Sequence, residues 1–163
     1  LIAAGHRFST VLADPPWRYD NTASRAAAEN HYPTLSVDEI CEQPVAQLVE
    51  RNAHLHLWTT NAFLESAFDV IRAWGFEFKS LLVWVKPKIG LGNYWRVSHE
   101  FLLLGVRGRL PFRRKDIRSW QLAARERHSR KPFKFRELVE QVSPGPYLEL
   151  FGRESTLKPY YQL

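Results

Sequence analysis

Phe8-Ser9-Thr10-Val11-Leu12-Ala13-Asp14-Pro15-Pro16-Trp17 decides how the rest of this 163-residue chain is read. Phe8 to Ala13 is a short apolar and β-branched run, and two prolines cannot continue a central strand. The run therefore reads as a buried strand, with a carboxylate, two rigid carbonyls and an indole at its carboxyl end. Downstream, Ser36 and Asp38-Glu39 open a short helix, and Val45 to Val49 form another turn. Ala53 to Trp58 alternates as a second strand. After Asn61, an N-cap, the apolar residues Phe63, Ala67, Val70, Ile71 and Trp74 follow helical spacing, and Gly75 is placed to end the helix. Phe78 to Val85 is a third strand closed by Lys86-Pro87, and Glu100 to Val106 a fourth, bounded by Gly105 and Gly108. Pro132 opens a helix carrying Phe135, Leu138, Val139 and Val142, which stops at Ser143-Pro144-Gly145-Pro146; Tyr147 to Phe151 is a fifth strand. Strands alternating with helices predict an α/β fold, a mainly parallel sheet covered on both faces, with ligands at the carboxyl ends of its strands.

Length and composition narrow the class. The size is that of one domain, residues 1–163, and 45% hydrophobic residues with 13% aromatics mark a globular chain rather than a disordered one. A single cysteine, Cys41, excludes an internal disulfide and a cysteine-rich zinc site, and it points to a reducing compartment. No apolar run approaches the roughly 20 residues that span a bilayer, so a soluble, cytoplasmic protein with no membrane partner is expected. The chain begins with Leu and contains no Met, as a piece of a longer product would. The net charge is +6, yet residues 107–136 hold 12 of the 23 Lys and Arg and only 2 of the 17 acids, a local +10. A patch of that sign suits a polyanion, against the alternative of a merely solvated loop.

At Asp14-Pro15-Pro16-Trp17 the residue types themselves suggest chemistry. Prolines supply no N–H donor, so the Asp14 carboxylate and the Pro15 carbonyl face a ligand as acceptors only. Such an array suits an amino group. The exocyclic amine of a nucleobase is a poor nucleophile because its lone pair is delocalised; two acceptors gripping its hydrogens favour a pyramidal nitrogen, and proton acceptance of this kind is worth roughly 10²- to 10⁴-fold. Trp17 is placed to stack on the base, an interaction worth about 1–3 kcal/mol. The competing reading is a Pro-rich turn with Trp17 in the core. The tetrapeptide leaves adenine and cytosine both open.

Several further motifs occur in order: His31-Tyr32-Pro33-Thr34-Leu35-Ser36, Leu57-Trp58-Thr59-Thr60-Asn61, Trp74-Gly75-Phe76, Trp84-Val85-Lys86, His99-Glu100, Gly105-Val106-Arg107-Gly108, His128-Ser129-Arg130-Lys131-Pro132 and Leu148-Glu149-Leu150-Phe151-Gly152-Arg153. Together with the tetrapeptide they make the chain resemble the adenine-N6 methyltransferases typified by the 70-kDa catalytic subunit of the eukaryotic mRNA methyltransferase, in a short form like the bacterial and phage members. The resemblance implies a Rossmann-like methyltransferase fold with permuted motif order and S-adenosylmethionine as methyl donor. It makes Asp14, Pro15, Pro16 and Trp17 the catalytic turn and Tyr32 an aromatic wall of the target pocket. Asp14 and Pro15 would adjoin the cofactor's methyl, Glu149, Phe151 and Arg153 would hold its ribose and adenosine, and Lys131 or His99 its carboxylate. Ser155 and Thr156 stand where the eukaryotic enzyme has a His-Asn pair on the cofactor. The family pattern extends further at both ends, with an upstream strand for the adenine and a Gly-Asn-Gln or Gly-Asn-Glu segment beyond Leu163.

The remaining polar residues carry less. His54 and His56 read as structural histidines in preference to a metal pair without a third ligand, so no metal is expected. His6, His31 and His128 read as loop or cap residues, and Cys41 as a packing thiol. Tyr94 and Trp95, after Gly90-Leu91-Gly92-Asn93, lie in a loop from which they can stack on nucleic acid. The expected activity is methyl transfer to adenine N6 in DNA, with Arg113, Arg114 and Lys115 on the polynucleotide. DNA is preferred because a short, solitary catalytic domain is more like the bacterial and phage members. RNA adenosine methylation and a catalytically inactive nucleic-acid-binding member are the alternatives.

Overall fold

A computed structural model describes residues 1–19, 33–125 and 131–152, and the backbone of 160–162. Its strands are β1 (Phe8–Ala13), β2 (Val49–Thr59), β3 (Glu77–Val85), β4 (His99–Arg107), β5 (Trp120–Leu122), β6 (Tyr147–Leu150) and β7 (Tyr160–Gln162). They form one sheet in the order β5-β3-β4-β2-β1-β6-β7. β1 lies parallel between β2 and β6, and β4 alone among these strands runs against its neighbours, β2 and β3. A strand packed on both faces has to be apolar throughout, which is why Val11, Leu12 and Ala13 are successive core residues.

The helices are α1 (Val37–Cys41), α2 (Leu64–Ala73) and α3 (Phe133–Val142). Ser36 starts α1 with a capping box: its hydroxyl accepts from the Glu39 N–H, and the Glu39 carboxylate accepts from the Ser36 N–H. Ile40 of α1 and Ala67, Val70 and Ile71 of α2 join Val11, Leu55, Leu57 and Leu148 in a core on one face of the sheet. Buried Trp74 ties the two helices, its indole donating to the Ile40 carbonyl at 2.9 Å. On the other face Phe135 and Val139 of α3 pack with Leu12, Trp58, Trp84, Leu102 and Tyr147. The result is the Rossmann-like α/β architecture expected, a mostly parallel sheet with helices on both faces.

Some boundaries differ from the sequence reading. β2 begins at Val49, so the preceding turn is only Val45–Gln47. Asn61 does not cap α2; it opens a 3₁₀ turn, Asn61–Phe63, that leads into the helix. Gly105 lies inside β4 rather than at its edge, where a Cβ would come within 3.0 Å of Phe76 Cβ and 3.3 Å of Ile71 Cγ2. The missing side chain lets α2 seat closely. Two edge strands, β5 and β7, escape the sequence reading; at three residues each they are too short to show a period. No helix among the described residues is long and apolar enough to cross a membrane.

Candidate active site

β1 delivers Asp14 to the carboxyl end of the sheet, where its N–H donates to Leu150 O at 3.2 Å and so holds the end of β1 against β6. The turn beyond is locked by its own backbone. Pro15 O accepts from the Trp17 N–H at 2.9 Å, and Pro16 O from the Leu35 N–H at 2.9 Å. One lone pair of the Pro15 carbonyl is therefore engaged internally, and the other takes no backbone bond from the described residues. Trp17 is only 8% exposed: its ring stacks on Phe63 with centroids 5.2 Å apart, and its N–H donates to Trp58 O at 3.3 Å. This corrects the expectation that Trp17 stacks on a base, since the indole is spent on anchoring the turn in the α1–α2 core. Asp14, sharing the sheet face of Leu12, points the other way.

There Asp14 meets three more charges. Lys131 Nζ, just before α3, donates to both Asp14 carboxylate oxygens at 2.9 Å and lies 3.3 Å from Glu100 Oε2. Lys86 donates to the other Glu100 oxygen. The two ammonium groups lie over indole faces, Lys86 over Trp84 at 4.5 Å and Lys131 over Trp58 at 5.4 Å. Two carboxylates and two ammoniums alternate in one part-buried row. Burial opposes ionisation of Glu100, but Lys131 and Lys86 outweigh it and hold the carboxyl below its ordinary range. Burial also pulls on Lys131, and Asp14 with Glu100 more than restores it, leaving its pKa raised. Lys86 is left lowered, because burial is only partly offset by Glu100.

The residues expected around a cofactor divide between the two faces. Glu149, on the α3 face, is ion-paired with Arg136 and only 13% exposed. Lys131 shares that face, whereas His99 lies edge-on against Phe101 at 4.9 Å on the opposite one. The two candidates for a methionine carboxylate are thus separated by the sheet. Phe151 ends β6 on the α1–α2 side with φ +62, a left-handed conformation rare outside glycine and one that gathers at functional sites. Tyr32, Arg153, Ser155 and Thr156, together with His31 and His128, lie outside the described residues.

The basic segment is tied down on the α3 side. The Arg113 N–H donates to Val142 O at 2.9 Å, and Phe112 and Ile117 turn inward to line an apolar cavity of about 350 Å³ with Leu102, Leu104 and Val139. Arg114 is not free for phosphate: it makes two bonds to Asp116, at 3.0 and 2.6 Å, and one to Gln141 at 2.8 Å. Lys115 is exposed. His54 and His56 are buried under this segment and joined by hydrogen bonds. His54 Nε2 faces the Leu110 carbonyl at 2.7 Å and must donate, so its Nδ1 accepts from the Ser143 hydroxyl at 2.8 Å. His56 Nε2 then donates to that same oxygen at 2.8 Å. One direction satisfies all three groups, with both imidazoles neutral, and burial accordingly pushes His56 down to about 3.

Glu100 and Lys86 are the site residues that sequence reasoning leaves without a role. Their signal is a charge at the edge of an apolar strand, Lys86 just after Val85 and Glu100 just before Phe101. What conceals its meaning is the reversal of β4, which carries that strand's first residues to the end where β1 and β2 finish.

Comparison with known proteins gives the family. Residues 8–162 match the MT-A70 family. The chain is 26% identical to the type II methyltransferase M.MunI of Mycoplasma sp., over 91% of this chain and 73% of that protein. It is 30% identical to an N(6)-adenosine-methyltransferase MT-A70-like protein of Drosophila melanogaster, over 94% of this chain but 26% of that protein. It is 26% identical to the mouse N(6)-adenine-specific methyltransferase METTL4, over 94% of this chain and 36% of that protein. The chain thus spans most of the first relative and only a minor part of the other two.

Proposed function

Because the chain belongs to the MT-A70 family of methyltransferases, we propose that it moves a methyl group from S-adenosylmethionine to the exocyclic N6 of adenine in DNA. The observation that carries this reading is the Asp14 carboxylate, held by Lys131 through two 2.9 Å bonds at the carboxyl end of β1 and hydrogen-bonded through its backbone to β6. A carboxylate has about four acceptor directions, so Asp14 can bind Lys131 and still accept an N–H from the target amine. The second lone pair of Pro15 O offers the other acceptor. Gripping both hydrogens localises the nitrogen lone pair, and Asp14 then takes the proton the amine sheds as it becomes methylated. Lys131 aims the carboxylate through its two bonds.

The side chains present fit a zwitterionic sulfonium nucleoside. Part-exposed Lys131 suits a carboxylate, Asp14 and Glu100 suit cationic groups, Glu149 suits ribose hydroxyls and Phe151 an adenine. When bound, S-adenosylmethionine supplies the electrophilic methyl. Lys115 and the remaining exposed bases of 107–136 hold phosphates. DNA is favoured over RNA because the relative matched over most of its own length is the type II methyltransferase. A reducing, cytoplasmic setting belongs to the same reading, since the sequence carries a single cysteine, Cys41, and so no internal disulfide.

The test is to incubate the protein with labelled S-adenosylmethionine and matched single- and double-stranded DNA and RNA, and then to analyse the nucleosides. Label should appear in N6-methyldeoxyadenosine. Label in N6-methyladenosine of RNA instead would move the substrate to RNA, and label in 5-methylcytosine, or in no nucleoside while the donor binds, would overturn the mechanism.

A further inference from the structure

The loop between β3 and β4 presents two aromatic rings that the fold makes no use of: Tyr94 is 96% and Trp95 91% exposed. They are not on a slack tether. The Val97 N–H donates to Leu91 O at 3.3 Å, and Arg96 Nε donates to Gly90 O at 2.9 Å, closing the loop at its base. Two glycines permit that closure, since a Cβ on Gly90 would stand 2.0 Å from Val97 O and one on Gly92 2.5 Å from Trp95 O. The rings sit at the tip of a loop whose backbone is packed as tightly as glycine allows.

Both ends of the loop run into the active site. It leaves from Lys86 and returns at Glu100, the pair that completes the charge row on Asp14. The surroundings are cationic: Lys88 and Arg96 belong to the loop, and Arg125 of the basic segment lies near enough to repel the Lys86 ammonium. Exposed aromatics interleaved with cations suit a partner that offers flat π faces and negative charge together, as unpaired nucleotides do. An apolar protein surface would match the rings but not the cations.

We propose that Tyr94 and Trp95 form a stacking platform for unpaired bases next to the target adenine, so that the preferred substrate is single-stranded or locally opened nucleic acid. The proposal rests on the nucleic-acid methyltransferase reading and deepens it. A base in a duplex must leave its stack to reach Asp14, and the gap or the displaced neighbours then need a surface to stack on. A platform rooted in the site at both ends supplies it where it is needed.

The experiment is an anisotropy titration of a labelled adenine-containing single strand over a range of salt, with the unaltered protein, the Tyr94→Ala/Trp95→Ala pair, Trp95→Phe and Gly92→Ala. The double variant should lose about tenfold in affinity per ring while its salt slope stays unchanged, because every phosphate-binding cation is retained. Trp95→Phe should keep its affinity within about threefold, as any aromatic face serves. Gly92→Ala, which keeps both rings but spoils their presentation, should weaken binding like the double variant. In turnover assays the loss should fall on KM, and be larger for single strands than for duplex. Equal affinity in the unaltered and double-variant proteins would overturn the inference alone. So would a change in molar mass by light scattering in the double variant with its affinity intact, which would assign the loop to contact between copies. If the unaltered protein bound no oligonucleotide, the functional reading would fall and this inference with it.

Discussion

Asp14 owes its position to a partner 117 residues away: Lys131 arrives from the start of α3 and takes both carboxylate oxygens. Asp14→Ala should lower methyl transfer by at least about 10²-fold, the scale of acid–base assistance. The melting temperature should fall only modestly, since Lys131 keeps Glu100 as a counter-ion at 3.3 Å when Asp14 is removed. A variant with ordinary turnover would remove Asp14 from the mechanism. Lys131→Met separates charge from packing in the same row. Glu100 would be deprived of one of the two cations that offset its burial, so its carboxyl should titrate higher, which carbon-13 NMR of labelled Glu reads directly. Turnover should fall in parallel. Of this row, only Asp14 and Lys131 were legible as site residues; the pairing of Glu100 with both lysines was not, because strand direction is not written in local sequence.

The segment from Arg107 to Arg136 shows how far charge counting carries and where it stops. Its +10, already net of Asp116, is visible in composition, but the structure pairs part of it with carboxylates from outside the segment, Lys131 with Asp14 and Glu100 and Arg136 with Glu149, while Arg114 grips Asp116 within it. Replacing Arg113, Arg114 and Lys115 together by Ala should weaken polynucleotide binding for all sequences alike, and flatten the log–log salt slope by about 0.9 for each duplex phosphate no longer neutralised. Asp116→Asn should act in the opposite sense, releasing Arg114 and steepening the slope, and a flat response to both would return the segment to a solvated surface. On the opposite face, α2 was legible from its period, but its union with α1 was not. Trp74→Phe should cost about 0.5–1.5 kcal/mol in urea unfolding, because the indole bond to Ile40 O is lost while that carbonyl still accepts from the Gln43 N–H at 3.2 Å.

At the scale of the molecule, pH should reveal the neutral histidine chain. His56 is held at about 3 in the fold, against 6.5 for an unfolded histidine, and burial lowers His54 as well. Below about pH 6.5 the unfolded chain takes up protons that the native one refuses. Stability is therefore fully present above that pH and declines as pH falls toward 3, by roughly 1.4 kcal/mol per pH unit for each fully excluded proton. Between about pH 6.5 and 5.5 the carboxylates scarcely contribute, so urea midpoints across that window report the histidines. His56→Gln, which can keep an N–H on Ser143 Oγ, should flatten the decline, and an undiminished slope would place the proton uptake elsewhere. What the sequence by itself determined was the class of the fold and the location of its chemistry. A buried strand must be apolar, a helix must repeat near 3.6 residues, and prolines must end a central strand, and all three are local constraints written in consecutive residues. Tertiary structure alone decided which distant charges meet Asp14, which face Trp17 turns to and where β4 reverses. Those outcomes depend on strand order and direction, which arise from how whole elements bury one another and leave no periodic trace in the chain.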